Sequence, residues 1–411
     1  MKSRHTILID RLTYIVGFFG FFVATLFVYF FNPGFAGSSA DSSYYFTQFQ
    51  TTNLFNFGPL EKYHVATSPI YIAIMGIFVQ FSPLPIKFLI HIIYFVFAGI
   101  AIFVFCKLCK DLDQKIKIPL VFLFSTSGYL AAPTIFPTSD LPALLFLLLT
   151  FFTHSKKQHL AFSLAFFMMV STRQSLAWLI VYFFVSDLIS EKSLKLRIFP
   201  KYLLGVFSLM VTYIYFGYRL APPVYEESQP LNIFSVPNFY STIQVVFVLA
   251  ICLISILPLL NFRISVKTLF KNRLGLLFLL ALSSTPFLAY LTDPHVKFVE
   301  GMGWISLLTL KFGFSSLQLS LISFLLLLSF LVFLFQKMDL SDPKSLLLFF
   351  MFFASNLLIP IPFLRYFEMQ GIILFSLVFI KGINFKLHLQ LHHALLASFL
   401  TVFLNLSKVL N

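Results

Sequence analysis

The 411-residue chain is 59% apolar and 19% aromatic, holds 15 Asp or Glu against 29 Lys or Arg, and carries a formal charge of +14. Only 11% of its residues are charged, about half the share of an ordinary soluble domain. A water-soluble globule of this length has too much surface to cover with so few polar residues, which excludes that class and leaves an all-α polytopic membrane protein. In that class net positive charge reports orientation in the bilayer rather than nucleic-acid binding.

The N-terminal stretch MKSRHTILIDRL is basic and precedes an apolar run of about 20 residues, the length of one crossing. No small-residue cleavage site follows, so an uncleaved first span is expected at 12–31. Further spans are expected at 86–106, 118–133, 139–153, 160–172, 175–190, 202–218, 239–260, 274–291, 317–336, 345–359, 367–380 and 392–407. With the N-terminus in the cytoplasm, these thirteen spans place 21 of the 29 basic residues on inner segments. Those segments include 107–117, 154–159 and 191–201, and the split is the one a positive-inside orientation predicts. Reading 160–190 as one span would reverse every later loop, so two short spans meeting at Arg173 are expected. The segment TSPIYIAIMGIFVQFSPLP (67–85) is bounded by Pro69 and Pro83 and reads as a helix at the outer interface. The whole chain, 1–411, is thus expected to form a single domain, with 32–85 as a large first outer loop and 134–140 as the second.

Cys106, Cys109 and Cys252 give no disulfide framework, and the lone CxxC formed by the first two is weak as a metal or redox site. The sequence carries no P-loop, GxGxxG or HExxH, which argues against an ATP-driven pump. The unusual residues gather on the expected outer face. Asp41 lies in SSADSSYYFTQ, where it suits either a helix N-cap or a general base that takes a proton from a sugar hydroxyl. Asp140 lies in FPTSDLPALLF, again as an N-cap or as a second acid facing the same space. Arg173 in STRQSLAW and Arg365 in IPFLRYFEMQ stand at outer span ends. Each can snorkel to lipid phosphate, or the two can fork a phosphate leaving group. A divalent metal is compatible with these acids together with His64 and His295, although their spacing is not diagnostic.

The order of these pieces resembles the GT-C class of membrane glycosyltransferases that use polyprenyl-phosphate sugars. Within it, the closest likeness is to the dolichyl-phosphate-glucose α-1,2-glucosyltransferases. Four stretches carry the likeness: ADSSYYFTQFQ followed by ATSPIY, FPTSDLPALLFLL, STRQSLAWLIVYF and FLRYFEMQGIIL. The chain departs from that family where Ser42 follows Asp41 in place of a second acid, and where Ser175-Leu176 follow Arg173-Gln174. A further loop is replaced by GYRLAPPVYEESQP. The resemblance implies a GT-C-like fold and transfer of a sugar from a dolichyl- or undecaprenyl-phosphate donor to a hydroxyl of a glycan or lipid-linked acceptor, with inversion. It implies Asp41 and Asp140 as catalytic acids, Arg173 and Arg365 as donor-phosphate ligands, and Tyr44, Gln48, Gln174 and Tyr366 as acceptor- or sugar-positioning groups. A bacterial cytoplasmic membrane is expected ahead of the endoplasmic reticulum. A lipid or small-molecule transporter or flippase is the alternative, although such proteins tend to place ionisable sites near the midplane and in repeated halves.

Overall fold

The computed structural model describes residues 4–31, 36–52, 57, 65, 67–112, 114–191, 199–218, 283–284, 313–337, 347 and 351. The chain divides into two compact units, 1–233 and 234–411. Every element among the described residues is a helix, with no strand among them.

In the first unit, α1 (Arg4–Phe31) and α4 (Ile86–Leu108) contain the two stretches among the described residues, Arg11–Phe30 and Ile86–Leu108, that are long and apolar enough to cross a membrane. Phe18, Phe19, Phe22 and Phe30 on α1, and Phe88, Phe95 and Phe103 on α4, are exposed. The core helix of a soluble protein would bury such residues, whereas lipid accepts them. The two helices run antiparallel: Tyr14 stacks on Phe103 at 5.6 Å and Phe21 meets Phe95 at 5.9 Å.

The expected span 118–133 is two helices, α5 (Gln114–Ser125) and α6 (Gly128–Ile135). The hydroxyls of Ser125 and Thr126 both donate to the Phe122 carbonyl, at 2.9 and 3.0 Å, a back-bonding that competes with the helical ladder. The apolar pattern runs across the break and conceals it.

Four shorter helices follow: α7 (Asp140–Ser155), α8 (His159–Thr172), α9 (Leu179–Glu191) and α10 (Pro200–Tyr215). Arg173 ends α8 in an extended conformation, and a 3₁₀ turn over Gln174–Leu176 leads into α9. The chain therefore reverses at Arg173. α8 and α10 lie parallel and close. The Ser163 hydroxyl donates to the Lys201 carbonyl at 2.9 Å, and those of Ser171 and Ser208 are 2.7 Å apart. α4 runs parallel to α7, with Tyr94 beside Thr138 and Phe97 against Phe146. This up-and-down order collects Lys107, Lys110, Lys156, Lys157 and Lys201 at one end of the unit and Asp140 and Arg173 at the other.

At that second end pack α2 (Ala36–Thr51) and α3 (Pro69–Phe81). α3 opens with Ser68 as its N-cap, whose Oγ accepts from Ile70 N–H at 3.3 Å, and with Pro69 in the first turn. It ends at Phe81, just short of the Ser82–Pro85 turn. Gly76 lets the two helices touch: a Cβ there would overlap the Thr52 carbonyl oxygen and lie 3.1 Å from that of Phe49. In the second unit the main described element is α11 (Ser316–Lys337), which covers the expected span 317–336.

Candidate functional site

The short sequence Thr138-Ser139-Asp140, at the start of α7, is where the second end of the first unit is tied together. Each of its three residues is held by a different helix. Arg173, at the end of α8, donates from Nη2 to Asp140 Oδ1. Asp140 Oδ2 accepts from the Thr138 hydroxyl at 3.0 Å. Both charged side chains are largely buried, at 11% and 14% exposure. A carboxylate in the first turn of a helix is further stabilised by the unpaired amides there. Asp140 is thus engaged on both oxygens, which fixes the orientation of its carboxylate. Its side chain does not serve as an N-cap, because Ser139 holds the capping position.

Ser139 does not cap α7 with its side chain either. A serine cap stabilises a helix by about 1 kcal/mol, and that bond is not made here. The Ser139 hydroxyl instead accepts from Tyr45 of α2 at 2.9 Å. The Tyr45 oxygen also lies 2.6 Å from Thr67 Oγ1. Since the single phenolic proton goes to Ser139, Thr67 is the donor to Tyr45. Burial pushes the Tyr45 phenol above its ordinary range, against the opposing influence of nearby Arg173, so it works as a proton-bearing donor.

The third member is fixed through its backbone. Tyr94 of α4 donates to the Thr138 carbonyl at 2.7 Å. Tyr94 has then used its proton, so Tyr71 of α3, 3.3 Å away, donates to Tyr94. Burial raises the Tyr71 phenol as well. The N-terminus of α3 is locked to the same region. Ser68 N–H donates to the Ser171 carbonyl at 3.2 Å, and the Ser68 and Thr212 hydroxyls are hydrogen-bonded at 2.7 Å. Helices α2, α3, α4, α7, α8 and α10 therefore converge on one buried polar region.

The structure brings Asp140 and Arg173 together as an ion pair. Asp41 lies inside α2, one turn before Tyr45, and is not at a helix start, so the N-cap alternative does not hold for it. Gln48 and Gln174 are buried, whereas Tyr44 is about half exposed. Arg365 and Tyr366, and also Glu61, His64 and His295, lie outside the described residues. Among the described residues no three His, Cys, Asp or Glu side chains gather as metal ligands.

Sequence reasoning passed over Tyr45, Tyr71, Tyr94, Thr67, Thr138 and Ser139. For Tyr45 a signal existed. Ser42, Tyr45, Gln48, Phe49 and Thr52 recur at three- and four-residue spacing and are all buried, the stripe expected of a docked helix. That stripe selects Tyr45 over its neighbour Tyr44 once a helix is assumed. The hydroxyl ladder from Tyr71 through Tyr94 has no such signature, because it depends on how separate helices approach.

A second polar cluster occupies the other end. Asp187 of α9 accepts from His154 Nε2 at 2.9 Å and from the Tyr202 hydroxyl at 2.5 Å, and it pairs with Lys201. The Lys201 ammonium also lies 5.4 Å from the Phe162 ring centre, in range of a cation–π attraction. Comparison with protein-family models, with curated proteins and with solved structures finds no match to the chain.

Proposed function

We propose that the chain is a membrane glycosyltransferase that moves a sugar from a polyprenyl-phosphate donor, dolichyl- or undecaprenyl-phosphate, to a hydroxyl of a glycan or lipid-linked acceptor. The observation that carries the reading is the buried Asp140–Arg173 pair, set at the same end of the first unit as α2, the helix containing Asp41. A guanidinium offers five N–H donors in a rigid planar fork. A carboxylate that fixes one edge of that fork orients the group, and an oriented arginine suits a phosphate better than a mobile one.

In this mechanism Asp41 takes the proton of the acceptor hydroxyl. The oxygen attacks the anomeric carbon from the face opposite the phosphate, a new glycosidic bond forms, and the bond from that carbon to the phosphate oxygen breaks with inversion. One base suffices for such a displacement, with no nucleophilic carboxylate. Arg173 stabilises the negative charge that develops on the departing phosphate. Arg365 is assigned to phosphate binding by its sequence motif alone. Asp140 orients Arg173. Gln48, Gln174, Tyr44 and Tyr366 are assigned to positioning of the sugar and the acceptor.

The same reading takes the chain as polytopic, with thirteen spans, a cytoplasmic N-terminus and the reaction on the outer face. It favours a bacterial cytoplasmic membrane over the endoplasmic reticulum. The exposed phenylalanines of α1 and α4 support a lipid environment. The deciding experiment incubates purified full-length protein with a panel of polyprenyl-phosphate monosaccharides and candidate acceptors, and follows transfer by mass spectrometry. Transfer that requires Asp41 supports the proposal; no transfer with any donor overturns it.

A further inference from the structure

We infer that Tyr45 is a positioning residue: through its hydrogen bond to Ser139 it fixes the turn that aims the Asp140–Arg173 pair, coupling the first outer loop to that pair. For its kinetic consequence this inference rests on the glycosyltransferase reading; for its geometry it does not.

Three observations carry it. First, Ser139 stands at the capping position of α7, yet its side chain makes no cap bond. It is 1% exposed and is engaged by Tyr45 at 2.9 Å. A serine at a helix start ordinarily turns its hydroxyl to the amides of the next turn, so the contact with Tyr45 replaces the default local bond by one to a residue 94 positions away. Second, Ser139 adjoins Asp140, which holds Arg173. A rotation of this peptide unit moves the carboxylate, and the guanidinium with it. Third, Tyr45 is itself fixed from the far side by Thr67, next to the Ser68 cap of α3. A displacement of α2 is therefore passed to the ion pair by the Tyr45 hydroxyl.

The consequence is that an acceptor or donor settling against the first outer loop biases the orientation of Arg173. Tyr45 acts through Ser139 and Asp140 and is not itself a catalytic residue.

The test uses full-length protein in detergent, with Tyr45→Phe, Ser139→Ala and the double variant. Tyr45→Phe keeps the ring and removes only the hydroxyl, and Ser139→Ala removes the same bond from the other side if either variant alone fails to fold. Two readouts are taken. One is the rate at which phenylglyoxal modifies Arg173, followed by peptide mass spectrometry, which needs no turnover. The other is the split between kcat and donor KM in the transfer assay. The expected result is a several-fold faster modification of Arg173 in each single variant, and no further change in the double variant. Where transfer is measured, kcat falls roughly tenfold or more with donor KM little changed, the mark of lost orientation rather than lost binding. Unchanged Arg173 reactivity in both single variants, or additive effects in the double variant, overturns the inference. Faster modification of Arg173 in a protein that transfers none of the sugars supports the positioning role and removes the glycosyltransferase reading.

Discussion

Arg173 and Asp140 meet as a largely buried ion pair although 33 positions separate them in the chain. The contact joins the end of α8 to the beginning of α7, so it closes the helical hairpin at the point where the chain reverses. Removing one partner leaves a charge in a place where water cannot easily compensate it, at a cost of about 3–5 kcal/mol. Arg173→Ala and Asp140→Ala are each expected to lower thermal stability in detergent markedly. Asp140→Ala with Arg173→Leu should recover much of that loss, because no lone charge remains. Transfer activity should stay absent in the double variant. Equal destabilisation by the single and double variants would mean that the pair is not coupled.

Asp41 separates from Asp140 in its expected behaviour. Asp140 already has a partner on each oxygen, whereas Asp41 is the acid assigned to proton transfer. Asp41→Asn is nearly isosteric and should abolish sugar transfer while leaving membrane insertion and donor binding intact. Binding of a polyprenyl-phosphate sugar by the variant, measured directly, together with single-turnover kinetics, checks this. Near-normal turnover would return Asp41 to a structural role.

Among the described residues much of the helical layout was legible in the sequence, because apolar runs, Pro69, Pro83 and basic clusters mark helix ends by simple physics; the expected spans 239–260, 274–291, 345–359, 367–380 and 392–407 lie almost wholly outside those residues. The reversal at Arg173 follows from charge parity alone, and the structure places the end of α8 at Thr172. The break between α5 and α6 was not legible. Two hydroxyls bond back to Phe122 there, but the same back-bonding occurs inside the unbroken α7 and α8. In the candidate site, charge singled out Asp140 and Arg173. Tyr45 was missed because a tyrosine beside another tyrosine carries no charge signal, and its importance arises only from where α7 begins. The Asp187 cluster escaped notice for a related reason: its four members come from three helices and none forms a motif with another.

Gly76 offers a test of how tightly α2 and α3 must pack. The atom that a Cβ would strike is the Thr52 carbonyl oxygen, part of the backbone at the end of α2. A side chain could swing away from a new methyl group; a backbone carbonyl cannot do so without moving the helix. Gly76→Ala is expected to destabilise the protein by about 1–3 kcal/mol, the usual penalty for overpacking, despite the better helix propensity of alanine. Thermal melting and limited proteolysis between α2 and α3 measure this. Because α2 carries Tyr45, Arg173 should also become more reactive to phenylglyoxal. A variant as stable as the native chain would show that the two helices tolerate separation.

The cluster at the opposite end predicts a sharper asymmetry. Asp187 is the shared acceptor for His154, Lys201 and Tyr202. Asp187→Ala strands a buried ammonium, whereas Lys201→Met keeps the length of the chain and leaves Asp187 with two neutral or weakly basic donors. Asp187→Ala should therefore destabilise more than Lys201→Met, by several kcal/mol against about one or two. Combining Asp187→Ala with Lys201→Met should be milder than Asp187→Ala alone. Neither change lies near the Asp140–Arg173 pair, so residual activity per folded molecule should be preserved.

Cys106 and Cys109 provide the last prediction, and it concerns pH. Both thiols are buried, and neither is in a disulfide. Burial is the main cause that raises the Cys109 thiol above its ordinary value, with Cys106 adding to it and Lys117 opposing it. Only the thiolate attacks a maleimide efficiently. A raised thiol stays protonated as the pH climbs through the range where an exposed cysteine ionises, so alkaline conditions should accelerate labelling far less than they do for a free thiol. In a Cys252→Ser background, the folded protein should label slowly from pH 7 to 9, and both residues should react promptly once the chain is unfolded in dodecyl sulfate. Rapid labelling of Cys109 in the folded state at pH 7 would contradict both its burial and the packing at the end of α4. A CxxC that stays inert under these conditions has no role in thiol exchange, since such a role requires an accessible and easily ionised sulfur.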